Sequence, residues 1–129
     1  MKIINENMNP KGRKTSDCVI RALSKATGYS WDETLDKLIV ICHKVKDMPN
    51  CKRVYEKFLE QEGWVKQKMP KRSDNTRFTV KEFIDEQVGP FKLKVVISVA
   101  NHLTYAENYD LIDTWDCSYK SVGNFWIRS

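Results

Sequence analysis

The chain has 129 residues, 41% of them hydrophobic and 30% charged, which is enough for one domain with a real core and too short for two ordinary ones. No apolar run approaches the ~20 residues of a spanning helix, so membrane insertion is excluded as an expectation. The formal net charge of +5 suits an acidic partner, nucleic acid included, without choosing one.

The segment from Met1 to Asn7 lacks the long apolar stretch of a signal peptide. The expectation is a cytoplasmic protein with its four cysteines reduced. Residues 1–14 carry asparagines, Pro10 and Gly12 without helical or strand period, and read as an extended arm or loop.

An apolar helical pattern then starts at about Ser16 and runs to Thr27, with Ile20 and Leu23 on one face and Gly28 as the stop. Thr15 or Ser16 is the expected cap, which leaves Cys18 in the first turn. Amide groups there have no helical partner, and they and the helix dipole favour an anion. A thiolate at that place is stabilised, which is the setting of a cysteine nucleophile. The plainer alternative is a buried structural cysteine.

Ser30-Trp31-Asp32-Glu33 is a capping box opening a second helix, with Trp31, Leu35, Leu38, Ile39 and Cys42 at helical spacing up to a break at Met48-Pro49-Asn50. A third helix is expected over Lys52–Glu62, ended by Gly63, and Trp64 to Met69 as a short strand. Residues 70–77 read as a loop, and Thr79-Val80-Lys81-Glu82 as a second capping box opening a short helix that Gly89-Pro90 closes. Leu93–Val99 is β-branched and apolar, the mark of a central strand. His102–Glu107 alternates as a second strand, Asn108-Tyr109-Asp110 turns, and Leu111–Trp115 returns; Phe125 to Ile127 is the final strand. Helices followed by an antiparallel sheet make an α+β domain, with N-terminal helices packed on a C-terminal antiparallel β-sheet.

The hairpin supplies what a thiol needs: a base, and a third group to orient it. If the turn centres near Asn108 and Tyr109, His102 faces Thr114 or Trp115, and Asp113 is a near neighbour across the ladder. Asp116 is the alternative third member. The candidate set is therefore Cys18, His102 and Asp113, with Trp115 and Trp126 as candidate substrate-facing aromatics.

Asp17-Cys18-Val19-Ile20-Arg21-Ala22-Leu23 resembles the nucleophile motif of the papain-like cysteine peptidases, in particular their bacteriocin-processing peptidase-like branch. Asn101-His102-Leu103-Thr104-Tyr105 and Ile112-Asp113-Thr114-Trp115-Asp116 resemble the histidine and acidic strands of that family, and the chain is similar to small phage-encoded proteins of this type. The resemblance implies a papain-like fold, a Cys-His-Asp catalytic triad, and hydrolysis or transfer at a peptide, isopeptide or other amide bond of a peptide or protein substrate, with no cofactor. It also implies a glutamine a few residues before the cysteine, whose amide helps form the oxyanion hole. Gly12 stands there, and Asn9 is the nearest upstream amide side chain that could substitute.

Two other readings compete. A zinc site would draw on Cys42, His43 and Cys51, with His102 and Cys117, but no CxxC pair is present and Cys42 falls on a helix core face. The other is a catalytically inactive papain-like module that binds a host protein or nucleic acid. From Trp64 to Lys81 there are six basic residues (Lys66, Lys68, Lys71, Arg72, Arg77, Lys81) against one acid, Asp74, with Trp64 as an aromatic neighbour. Outside the zinc reading Cys117 has no assigned role and is expected to be exposed.

Overall fold

The computed structural model describes residues 1–128. Strand β1 (Lys2–Asn5) precedes three helices, α1 (Cys18–Thr27), α2 (Trp31–Val45) and α3 (Lys52–Gln61). Then come β2 (Trp64–Gln67), α4 (Val80–Phe83), whose last turns over Ile84–Val88 are π-helical, and β3 (Lys94–Val99), β4 (His102–Glu107), β5 (Asp110–Asp113) and β6 (Phe125–Arg128). The six strands form one sheet in the order β1-β5-β4-β3-β6-β2. The domain is α+β, but the sheet is mixed rather than antiparallel throughout. β1, from the segment read as an arm, pairs in parallel with β5, and β2 joins the opposite edge against β6. Four residues, Lys-Ile-Ile-Asn, are too few to display an alternation, so only the tertiary pairing reveals this strand.

Helix boundaries follow local chemistry. Ser30 caps α2 by accepting the Glu33 N–H at 3.0 Å. Thr79 and Glu82 close a reciprocal box on α4. α1 begins two residues later than expected: Asp17 is the N-cap residue, it makes no side-chain bond to the helix amides, and Cys18 is the first helical residue. Gly28, in the left-handed region at φ 82°, returns its N–H to Ser24 and ends the helix.

The two faces of the sheet carry separate apolar cores. α1, α2 and α3 bury Leu23, Leu38, Val54, Phe58 and Leu59 against Val96, Leu103, Tyr105 and Trp126. α4 buries Val80, Phe83, Ile84 and Val88 against Val95, Ile97, Ala106 and Leu111 on the other face. Alternation along β3 and β4 divides these residues, neighbours in sequence pointing to opposite cores. Among the described residues no helix is long and apolar enough to cross a membrane.

The hairpin has the register expected from its turn. Asn108 takes a left-handed φ of 53°, Glu107 pairs with Asp110, and Tyr105 with Ile112. One step further along the ladder Thr104 meets Asp113. At the other end of β4 a second tight turn, through Asn101 at φ 56°, sets His102 opposite Val99. α1 packs along β3 and β4, so its first residue comes to the end of β4 where His102 begins.

Candidate active site

His102 and Thr104 alternate on β4 and Asp113 is the cross-strand neighbour of Thr104, so the three share one side of the pleat. His102 Nε2 lies 2.6 Å from Asp113 Oδ2, and the Thr104 hydroxyl donates to the same oxygen at 2.6 Å. The other carboxylate oxygen of Asp113 accepts from the Thr114 amide at 2.7 Å and from Arg21 Nη1 at 3.1 Å. Asp113 is thus buried with both oxygens occupied. Cys18 lines the same groove as His102, and His102 and the Leu103 backbone both favour its thiolate. The indole of Trp115 covers the imidazole, ring centroids 4.9 Å apart. Asp116 is exposed and accepts the Ser118 amide instead, so Asp113 is the carboxylate that meets His102.

The electrostatics follow from this packing. Burial pushes the Cys18 thiol up, but the bonds from His102 and Leu103 and the positive charges of His102 and Arg21 outweigh it and hold it below the ordinary thiol value. Burial alone would lower His102; hydrogen bonds with Asp113, Cys117 and Cys18 overcome it and raise the imidazole to about 11. Burial raises Asp113, and its bonds to His102 and Thr104 carry it below the usual carboxylate range. All three directions favour the charged forms of the thiol, the imidazole and the carboxyl.

A second buried carboxylate stabilises the arrangement from below. Asp17 accepts Arg21 Nε at 2.8 Å on one oxygen, and Asn9 Nδ2 at 3.2 Å and Trp31 Nε1 at 2.9 Å on the other. Arg21 therefore bridges Asp17, at the start of α1, to Asp113, at the end of β5. Helix and hairpin are tied by one planar guanidinium, a task suited to arginine rather than lysine.

Cys18, His102 and Asp113 are brought together from three elements, and Trp115 lies beside them, 38% exposed. Three sequence expectations are corrected. Asn9 does not line the groove at Cys18: it is buried, its amide donates to Asp17, and its oxygen takes the Lys11 amide. Trp126 is a core residue, packed edge-on against Tyr55 at 5.9 Å, and faces no substrate groove. Cys117, expected to be exposed, is fully buried, with its sulfur 3.8 Å from Asp113 Oδ2. Sequence reasoning gave no role to Thr104 or Arg21. The signals were present: Thr104 stands two residues from His102 on one strand, and Arg21 one helical turn after Asp17.

Donor atoms of His102, Asp113 and Cys117 lie within 4.8 Å of one another. Those of Asp113 are already taken by His102, Thr104, Thr114 and Arg21, and the guanidinium supplies the positive charge that a metal ion would bring. This donor set suits a hydrogen-bonded acid–base pair better than a cation. Cys42 packs against the helical core and His43 is exposed on α2. No disulfide links the four cysteines.

Two grooves lie at the start of α1, the first of them lined by Cys18 itself. One, of about 530 Å³, is bounded by Thr15, Ser16, Lys52, Tyr55, Asn101 and His102. Another, of about 680 Å³, is bounded by Arg13, Lys14, Thr15, Ser16, Thr114 and Trp115. Comparison with protein-family models, with curated proteins and with solved structures finds no match to the chain.

Proposed function

We propose that the protein is a papain-like, cysteine-dependent hydrolase of a peptide, isopeptide or other amide bond. The observation that carries this reading is Cys18 at the first position of α1, sharing a groove with a His102 whose Nε2 lies 2.6 Å from Asp113. A thiol at a helix start, an imidazole and a buried carboxylate in that order are what nucleophilic acyl transfer requires. The resemblance of the Asp17–Leu23 and Asn101–Asp116 segments to the bacteriocin-processing branch supports it from the sequence side.

In the proposed reaction the resting pair is thiolate and imidazolium. The Cys18 sulfur attacks the carbonyl carbon of the amide, and the carbonyl oxygen gains the charge. The Cys18 N–H, one of the helix-start amides without an intrahelical acceptor, donates to that oxyanion. His102 gives its proton to the leaving nitrogen as the C–N bond breaks, forming a thioester and a free amine. Neutral His102 then takes a proton from water, whose oxygen displaces Cys18 and releases the acid. Asp113 holds the tautomer and orientation of His102 throughout, and Arg21 and Thr104 hold Asp113.

Alkylation of Cys18 by iodoacetamide, read by peptide mapping across pH, tests the pair. Reaction should stay fast well below the free-thiol value of about 8.5 and lose that low-pH limb in His102→Ala. A burst of nitrophenol from a nitrophenyl ester, stoichiometric with protein and absent from Cys18→Ala, tests acyl transfer itself. A Cys18 no more reactive than Cys51 would sink the reading.

One observation favours a second reading, an inactive module of the same architecture that binds a host protein or nucleic acid. The upstream amide that the family resemblance implies is absent from the groove, since Gly12 has no side chain and Asn9 is committed to Asp17. On that reading Cys18→Ala leaves binding intact, and the ester shows no burst.

A further inference from the structure

The grooves beside Cys18 are lined by side chains of one sign. Arg13 and Lys14 border one flank, with Lys120 placed over the outer ring, Trp115, 5.8 Å from its centroid. Lys52 borders the other, where Asn124 Oδ1 at 2.9 Å and Glu56 at 3.7 Å already hold its ammonium. Arg13 and Lys14 are exposed and form no ion pair among the described residues. The single carboxylate in either lining is Asp17, and it is buried with both oxygens occupied by Arg21, Asn9 and Trp31. A cleft walled by one charge concentrates field lines and draws in ligands of the opposite charge.

We infer that the substrate is an acidic polypeptide segment, with carboxylates on one side of the scissile bond meeting Arg13 and Lys14. The inference rests on the reading of Cys18 as the reacting thiol, since that is what makes the grooves two halves of one cleft. A peptide is favoured over nucleic acid because the lining offers a single exposed aromatic, Trp115, where a single strand would need successive stacking platforms. Polar side chains such as Ser16 and Asn101 occupy the remaining wall and suit a peptide backbone.

The test is protection of Cys18 from iodoacetamide by an oligoglutamate peptide, an oligolysine peptide or an oligothymidylate. Oligoglutamate should slow alkylation several-fold at low salt, with the effect fading as salt is added, and oligolysine should not. The double variant Arg13→Glu/Lys14→Glu should lose the protection. Lys2→Glu/Lys94→Glu makes the same change in net charge at the far end of the sheet and should keep it. Equal protection by both peptides, or by neither, overturns the inference, and protection by oligothymidylate alone replaces it with a nucleic-acid ligand. A Cys18 with no low-pH reactivity that oligoglutamate still shields would remove the hydrolase reading while retaining the acidic ligand.

Discussion

Two stretches of this chain are rich in lysine and arginine, and folding treats them in opposite ways. The more conspicuous one, from Trp64 to Lys81, spends most of its charge internally. Lys66 pairs with Glu56, Arg72 with Glu82, and Lys81 with Asp85, while Arg77 donates to the Val122 carbonyl. Its aromatic neighbour Trp64 is buried at 4% exposure, so it offers no platform to a base. The shorter run at Lys11, Arg13 and Lys14 stays exposed on the loop that leads into Cys18. Sequence reports how many charges there are; the fold decides which remain available to a partner.

That contrast can be broken or sharpened at four places. The largest effect is expected at Arg21, which bridges the two buried carboxylates of the site. Arg21→Met leaves Asp17 and Asp113 buried without their counter-charge, and urea unfolding should show a loss of about 3–5 kcal/mol. Trp64→Ala should cost a similar ~3–5 kcal/mol as a core truncation, whereas the exposed Trp115→Ala should shift urea stability by no more than about 0.5 kcal/mol. Equal costs would mean that the two tryptophans do not divide as described. Trp64→Phe should be milder than Trp64→Ala, because Trp64 Nε1 is buried without a hydrogen-bond partner and its removal strands nothing.

The third is a pH dependence. His102 is raised in the fold from about 6.5 to about 11, so its stabilisation is complete below its unfolded value and is lost as pH rises towards about 11. Asp113 is depressed, so its stabilisation is present above its unfolded value of about 3.9 and is lost as pH falls through its folded value. Urea midpoints of the wild type and His102→Gln should therefore differ most between about pH 4 and 6.5, with the difference shrinking progressively as pH rises towards about 11 and as it falls through the folded value of Asp113. The smallest effect is expected where the long basic stretch is least engaged. Lys68→Ala and Lys71→Ala remove exposed, unpaired cations and should stay within about 0.5 kcal/mol of wild type, with Cys18 alkylation unchanged. A large change there would return the stretch to the functional surface.

The helices, the hairpin and its register were legible because each rests on local chemistry: Ser30 and Thr79 as caps, Gly28 as a stop, Asn108 in a turn that fixes how β4 and β5 align. The proximity of His102 and Asp113 followed from that register alone. What escaped depends on contacts far apart in the chain. β1 exists because β5 is beside it. Asn9 carries the right functional group for an oxyanion donor, yet the buried Asp17 consumes it. Trp126 and Cys117 look like any other tryptophan or cysteine until burial assigns them to the two faces of the sheet. Arg21 was in view as part of a motif, but its reach to Asp113 belongs to the packing of α1 on the sheet rather than to the motif.

The wide sequence separation of Cys18 from His102 and Asp113 has a consequence for biosynthesis. α1 precedes β4 and β5 in translation and is marginal as a helix alone. On the proposed reading, Cys18 is therefore an ordinary cysteine until the hairpin is made and docked, and its reactivity arrives together with the completed fold.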